Sequence, residues 1–311
     1  MSTRDVFYIL PDHISKVIED VKNLERVNEI RLRSNKPIAI YIDENEKILN
    51  YIIKPNDLSK IIQRMSNYSM YAFDEELKQG YITIKGGHRV GICGSCVINK
   101  GEVKTIKNIS SLNIRISRQI INCSKKLLPY LMKNSNLMNT IIISPPKCGK
   151  TTLIRDISRN LSNGFTLNNT KIRGMKVCII DERSEIGGCY NGTPQLDVGN
   201  RTDIMDNCMK SSGIMMAIRS MSPDVIICDE IGTYDDIKSI IAALSSGIKL
   251  ITTIHGFGIE DLNNRDVFRE IIKNKVFKRA VILSNRNKVG TIEYIYDFTK
   301  KMKIGGNVND N

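Results

Sequence analysis

The C-terminal half of the chain alternates short apolar runs with stretches of helical character, and this alternation limits the fold more than any other feature. Each run has only five or six residues and is rich in β-branched side chains, as in a strand that is buried on both faces. The five runs are TIIIS, KVCII, DVIIC, KLITTI and AVILS. We therefore predict an α/β fold in which helices cover a mostly parallel sheet.

A phosphate-binding motif with an altered first residue follows the first of these strands. The full pattern is G-x-x-x-x-G-K-[ST], and this chain has Ser144 at the first position before Gly149, Lys150 and Thr151. The shorter remnant G-K-[ST] arises by chance in about one chain in ten of this length. The assignment therefore depends on what surrounds the loop.

The surrounding residues supply a strand, a loop and a helix in the order that a phosphate site requires. Asn139–Ile143 is a buried strand by its composition, and apolar residues recur at helical spacing after the loop until a capping glycine, Gly164. The backbone N–H groups of the loop and the helix N-terminus would then face the anion. The residues predicted to contact the nucleotide are Ser144, Pro145, Pro146, Lys147, Cys148, Gly149, Lys150, Thr151 and Thr152.

A second strand ends in the acidic pair that a nucleotide-hydrolysing site needs. In PDVIICDEIG, four apolar residues precede Asp229 and Glu230. Ligands of open α/β sheets bind at the carboxyl ends of the strands, where this pair would lie. We predict that Asp229 and Thr151 support Mg²⁺, and that Glu230 orients or deprotonates the attacking water.

Two more strands end in polar residues, and a single pocket at the same edge of the sheet explains all three strand ends. KVCII is followed by DERSE, which contains Glu182, and KLITTI is followed by His255. Arg219 precedes the acidic strand and would either reach the terminal phosphate or pair with Glu182. The predicted catalytic residues are Lys150, Glu182, Arg219, Glu230 and His255.

The length of 311 residues suggests two domains. We predict an α+β domain over residues 1–120, a helical linker over 121–138 and the α/β domain over 139–311. The first fifteen residues lack the charged start and apolar centre of a signal peptide, and no apolar run is as long as a membrane-spanning helix. We therefore expect a cytoplasmic protein.

The net charge of +13 raises the question of nucleic-acid binding. The basic residues are dispersed, and no basic patch is interleaved with aromatic residues, so no nucleic-acid partner is expected.

Among the eight cysteines only Cys93 and Cys96 form a C-x-x-C pair. Without a second pair they are expected to be strand residues in a reducing cytosol and not zinc ligands.

Several longer motifs together resemble the stage III sporulation protein AA family. These ATPases of endospore-forming bacteria are related to the type II and type IV secretion ATPases. The resemblance covers nearly the whole chain. The motifs are EIRLRSNKPI, GGHRVGICG, VCIIDERSEIGG, VGNRTDIMDNCMKSSGIMMAIRSMSPDVIICDEIGT and TTIHG.

This resemblance implies a RecA-like core, with ATP and Mg²⁺ bound by a chain that assembles into a hexameric ring. By the same resemblance, Glu230 is the catalytic glutamate of the Walker B segment, while IIDERSE and TTIHG correspond to the acidic and histidine boxes. Arg89, Arg115 and Arg118 match N-terminal arginines that approach the nucleotide phosphates. The implied partners are membrane-embedded proteins of the channel complex between mother cell and forespore, with the ATPase peripheral to it in the mother-cell cytoplasm.

Two other functions remain compatible with the sequence. RecA-like cores also drive nucleic-acid-dependent ATPases, and a scaffold that binds nucleotide with negligible turnover would tolerate the serine at position 144. If the turn at Ser144 required a positive φ, its Cβ would narrow the loop and weaken ATP binding. Binding would persist, because the later N–H donors remain.

Overall fold

The computed structural model describes residues 2–43, 45–66, 74–263 and 266–306, which form two units. The N-terminal unit is Met1–Gln119 with Gly188–Leu196, and the C-terminal unit is Ile120–Gly187 with Asp197–Asn311. No helix in the described part of the chain has both the length and the apolar character needed to cross a membrane.

In its described residues, the N-terminal unit combines three α-helices with six strands. It contains 3₁₀ helices at Thr3–Ile9 and Leu24–Arg26, helices α1 (Asp12–Glu19), α2 (Pro55–Met65) and α3 (Asp74–Gln79), and strands β1 (Val27–Arg33), β2 (Pro37–Ile42), β3 (Asn45–Ile52), β4 (Tyr81–Ile84), β5 (His88–Asn99) and β6 (Glu102–Arg115). The strands form one antiparallel sheet in the order β3-β2-β1-β6-β5-β4.

The core of this unit follows from the alternation of its strands. Ile30 and Leu32 of β1 are fully buried, and they belong to one apolar cluster with Ile14 and Ile18 of α1. A turn at Gly86–Gly87 joins β4 to β5, with positive φ at both glycines. A helix pair is expected from about Pro55 to Gln79, and its middle part, residues 67–73, lies outside the described residues.

The segment Gly188–Leu196 belongs to the N-terminal unit, although the sequence predicts it within residues 139–311. The Gly86 N–H donates to Oε1 of Gln195 at 2.9 Å. A Cβ on Gly87 would lie 3.2 Å from the Gly188 carbonyl oxygen, so the two backbones approach closely. Small residues at the contact explain why an aperiodic, Gly-rich stretch packs here.

The described part of the C-terminal unit contains twelve strands and six helices. Its helices are α4 (Leu128–Leu131), α5 (Lys150–Asn163), α6 (Lys210–Ser220), α7 (Tyr234–Ser245), α8 (Glu260–Asn263) and α9 (Asp266–Lys273). Its strands are β7 (Met132–Lys133), β8 (Asn136–Leu137), β9 (Thr140–Ser144), β10 (Phe165–Leu167), β11 (Thr170–Ile172), β12 (Val177–Asp181), β13 (Thr202–Asp206), β14 (Val225–Cys228), β15 (Lys249–His255), β16 (Arg279–Ser284), β17 (Thr291–Asp297) and β18 (Met302–Gly306).

Eight of these strands form one sheet in the order β13-β12-β14-β15-β9-β16-β17-β18. The strands from β13 to β16 are parallel, and β17 and β18 extend the sheet in antiparallel fashion. Helix α5 packs with one apolar cluster, and α6, α7 and α9 pack with a second. Because successive side chains of a strand point to opposite faces, Ile141 and Ile142 join different clusters. The predicted α/β fold with a mostly parallel sheet, preceded by a smaller α+β unit, is confirmed.

Residues 121–138 are mostly not helical, in contrast to the predicted helical linker. Only Leu128–Leu131 is α-helical, and β7 and β8 then form a hairpin whose turn has positive φ at Asn134 and Ser135. The carboxylate of Asp156 accepts the N–H groups of Asn122 and Ser124 at 2.9 and 2.8 Å. These side-chain bonds satisfy the backbone without a helix and attach the segment to α5.

Candidate functional site

The phosphate-binding motif occupies the connection between β9 and α5, as the sequence predicts. Ser144 is the last residue of β9, and Lys150 begins α5 directly after Gly149, whose φ is 83°. Lys147 also has positive φ, whereas Ser144 does not. The Cβ of Ser144 therefore introduces no backbone strain, and the condition under which the serine would narrow the loop is not met.

Lys150 folds back onto the loop that precedes it. Its Nζ donates to the carbonyl oxygens of Ser144 and Pro145 at 3.2 and 3.0 Å, and it lies 3.3 Å from the Ser144 hydroxyl. The side chain is only 8% exposed. Burial lowers the pKa of Lys150, while the nearby carboxylates of Asp229 and Glu230 act in the opposite direction.

His255 connects this lysine to the acidic strand end. Its Nδ1 lies 3.0 Å from Lys150 Nζ, and its Nε2 lies 3.1 Å from Oε2 of Glu230. An ammonium group can only donate, so Nδ1 is the acceptor and Nε2 carries the proton that is shared with Glu230. The strand register explains the proximity, because His255 is paired with Ser144 across the parallel strands β15 and β9.

Asp229 is held in a fixed orientation beside this group. Its Oδ1 accepts the Thr253 hydroxyl at 2.8 Å and the Glu230 N–H at 2.9 Å. Within the described residues, its Oδ2 and the Thr151 hydroxyl make no hydrogen bond or ion pair. Two such free oxygens suit Mg²⁺, which takes few protein ligands and completes its shell with water and phosphate oxygens. No cluster of three or more His, Cys, Asp or Glu side chains in the described ranges forms an all-protein metal site.

The rest of the loop lies around these groups. Pro146 and Lys147 are exposed, Cys148 is buried, and Thr151 and Thr152 at the start of α5 are half-buried. Cys148 Sγ contacts the Pro146 carbonyl at 3.5 Å, so the thiol of Cys148 is packed inward.

Glu182 pairs with a lysine and not with the predicted arginine. It makes an ion pair with Lys210, the first residue of α6, a contact that the sequence did not indicate. Arg219 lies nine residues later on the same helix, which runs back toward the amino ends of the strands, so it is about 13 Å further along the helix axis. Arg219 makes no ion pair with any residue that the structure describes, so its predicted pair with Glu182 is not seen, and its part at the terminal phosphate stays a prediction.

The three arginines predicted from the resemblance lie in the N-terminal unit. Arg89 and Arg115 are neighbours across the β5–β6 pair, and the Arg89 guanidinium stacks on the Tyr81 ring at 3.6 Å. Arg118 donates to the Val27 carbonyl at 2.9 Å.

The C-x-x-C pair lies on the same strand as Arg89. Cys93 and Cys96 are exposed on β5 and carry free thiols, as expected of strand residues.

Among solved structures, the chain resembles an ATPase and a pilus motor in fold. It matches the ATPase DotB of Legionella pneumophila with a TM-score of 0.56 at 16% identity, covering 88% of this chain and 76% of that one. It matches the pilus retraction motor PilT, solved with bound ADP, with a TM-score of 0.58 at 16% identity, covering 87% and 76%. At this identity the likeness establishes the fold alone.

Sequence comparison establishes the family. The chain is 41% identical over 295 residues to stage III sporulation protein AA of Bacillus subtilis (strain 168), covering 94% of both chains. It is also 30% identical over 193 residues to the uncharacterised protein ycf45 of Cyanidium caldarium, covering 61% of this chain and 50% of that protein. The model of the family described as sporulation stage III, protein AA, matches residues 2–303. The chain belongs to this family.

Proposed function

We propose that this chain is a Mg²⁺-dependent ATPase that energises a membrane-spanning complex during sporulation. The observation that carries the proposal is the contact series from the phosphate loop through Lys150 and His255 to Glu230. It combines a phosphate-binding cation with a carboxylate suited to activate water, at one edge of a RecA-like sheet.

Binding begins with the backbone of the loop. The N–H groups from Lys147 to Thr151 surround the phosphates, and Lys150 exchanges the carbonyl oxygens of its own loop for phosphate oxygens. The exchange of neutral acceptors for an anion favours binding of the ammonium group, because charge-assisted hydrogen bonds are about twice as strong as neutral ones. Thr151 and Asp229 would hold Mg²⁺, which when bound neutralises the charge of the phosphates.

Glu230 then acts on the attacking water. It orients the water and accepts its proton, while the N–H of His255 fixes the carboxylate in place. When Lys150 turns toward the phosphate, Nδ1 of His255 loses its hydrogen bond to Lys150. Nucleotide binding therefore also changes the hydrogen bonding of His255, the residue that orients Glu230. Positioning and electrostatic stabilisation of this kind provide most of the rate enhancement in phosphoryl transfer.

The family resemblance adds three arginines of the N-terminal unit to the proposal. Arg89, Arg115 and Arg118 offset the charge that develops on the phosphates, as the family resemblance implies. We place this function in a homo-oligomer, a hexameric ring in the family pattern. It would act in the mother-cell cytoplasm against membrane-embedded proteins of the sporulation channel.

The test is ATP turnover by the purified chain and by Lys150→Ala. The variant should lose hydrolysis while its circular dichroism is unchanged, because it lacks the ammonium group at the start of α5 that is proposed to bind the phosphates. Lys238→Ala is the matched control, since it removes one exposed lysine from α7 at no predicted site. Full activity of Lys150→Ala would contradict the proposed function.

A further inference from the structure

A turn that contains the last four residues of IIDERSE, Glu182 to Glu185, closes around the carboxylate of Asp181. Asp181 ends β12 and is 1% exposed. Its Oδ1 accepts the Glu185 N–H at 2.9 Å, and its Oδ2 accepts the N–H groups of Ile186 and Gly187 at 2.9 and 2.8 Å. One side chain thereby fixes three consecutive backbone donors, and Ser184 adopts positive φ to close the turn.

An arginine of α5, the helix that follows the phosphate loop, donates hydrogen bonds to carbonyl oxygens of the same turn. Arg155 of α5 is 6% exposed, and its guanidinium donates to the carbonyl oxygens of Ile186 and Glu185, both at 2.5 Å. Burial lowers the pKa of Arg155, and Asp181 is the strongest opposing influence. A buried cation is costly unless it is paired and hydrogen-bonded. Here the guanidinium N–H groups of Arg155 donate to backbone carbonyls, so α5 is hydrogen-bonded directly to the turn.

The position of this bonded turn relates it to the proposed chemistry. Arg155 follows Lys150 by five residues on one helix, so the two side chains belong to a single rigid element. Glu182 is the first residue of the turn, and it lies at the edge of the sheet that bears Asp229 and Glu230, because β12 and β14 are parallel neighbours. The ion pair with Lys210 fixes the other end of the Glu182 side chain.

We propose that Arg155 and Asp181 are positioning residues, which together hold the turn 182–187, and with it Glu182, in a fixed register with the phosphate-loop helix. The inference rests on the proposed function, because it assigns the turn a part in the same site. Asp181 accepts hydrogen bonds from the backbone N–H groups of the turn, and Arg155 donates hydrogen bonds to its carbonyl oxygens. A displacement of α5 when nucleotide binds therefore also moves Glu182. Neither residue needs to contact the nucleotide.

The experiment compares Arg155→Lys with the wild type in two measurements. The lysine keeps the charge but cannot donate to two carbonyl oxygens in the fork geometry of a guanidinium. Hydrogen exchange of the Glu185, Ile186 and Gly187 amides in the nucleotide-free protein should become about tenfold faster, as expected when hydrogen bonds from a charged group are lost. In steady-state kinetics, kcat should fall about 10- to 100-fold because Glu182 is misplaced. The KM for ATP should change less than about threefold, because the phosphate loop itself is unaltered.

Arg159→Lys is the matched control. Arg159 lies one turn further along α5 and donates to a buried carboxylate, that of Asp156, and none of its hydrogen bonds goes to the turn. It should leave both exchange at the turn and kcat unchanged. If Arg155→Lys does not fold, Asp181→Asn tests the other side of the turn with the same two readouts.

Each outcome decides a separate claim. Faster exchange together with a lower kcat at constant KM supports the inference. Wild-type kcat in Arg155→Lys, or an equal loss in Arg159→Lys, overturns it while leaving the proposed function intact. A wild-type chain without ATP turnover overturns the proposed function, and the inference with it.

Discussion

At the scale of single residues, the serine that leads the phosphate loop is compatible with nucleotide binding. Ser144 is fully buried at the end of β9 without a positive φ, so a glycine is not required there. Its hydroxyl is one of four acceptors around Lys150 Nζ, and at 3.3 Å it is the most distant of them. Other contacts therefore hold the lysine in the nucleotide-free protein.

We accordingly predict that Ser144→Gly has little effect on ATP binding. Loss of one long hydrogen bond among four should change the dissociation constant by less than about fivefold, since a tenfold change would require about 1.4 kcal/mol. Titration with a fluorescent ATP analogue measures the dissociation constant. Ser144→Ala separates the effect of the hydroxyl from that of the Cβ. ATP binding tens of times tighter in Ser144→Gly would show that the serine restrains the loop after all.

At the scale of elements, the main strands could be predicted and the contacts between elements could not. The runs TIIIS, KVCII and DVIIC became β9, β12 and β14, because strands buried on both faces must be apolar throughout. Strand β13 is not among the five predicted strands, because it is a half-exposed edge strand and not an apolar run. Its weak amphipathic pattern, TDIMD, was the available signal.

The candidate site shows the same division. Polar strand ends predicted the meeting of Lys150, His255 and Glu230, because parallel strands end at one edge of the sheet. The predicted pair of Arg219 with Glu182 is not seen because Lys210, at the start of α6, takes that place, and α6 runs away from Glu182 toward Arg219. Lys210 and Arg155 gave no local signal, since their partners lie 28 and 30 or more residues away in the chain.

The network around Asp156 gives a prediction at this scale, because it binds the segment after Ile120 to α5. Burial raises the pKa of Asp156, but hydrogen bonds from Ser124, Asn122 and Arg159 outweigh it, so the net pKa is lowered. The ionised carboxylate therefore stabilises the fold above its ordinary pKa, and this contribution is lost as the pH falls through the lowered value. Asp156→Asn should reduce the free energy of unfolding by about 2–4 kcal/mol at neutral pH.

Denaturant unfolding at several pH values measures this contribution. The difference between wild type and Asp156→Asn should be constant near neutral pH and shrink only in acid, as the wild-type carboxylate becomes protonated. Asp235→Asn is the control, because Asp235 is an exposed residue of α7. Equal stability of Asp156→Asn and wild type at neutral pH would contradict the role assigned to the network.

At the scale of the whole molecule, the proposed activity requires that one pocket both binds and hydrolyses ATP. The phosphate loop, the proposed metal-binding oxygens of Thr151 and Asp229, and the proposed catalytic carboxylate of Glu230 all belong to the C-terminal unit. The proposed arginines belong to the N-terminal unit, so activity in a ring should rise with protein concentration as the oligomer assembles.

The most direct test is to measure ATP binding and turnover together in Glu230→Gln, at several protein concentrations. Glutamine keeps the size of the side chain but cannot accept the proton of water, so turnover should fall about 10²- to 10⁴-fold. Binding should be retained, because Lys150 and the loop amides are unchanged. Wild-type turnover in Glu230→Gln, or loss of ATP binding with the fold intact, would contradict the assignment of Glu230 as the residue that activates water.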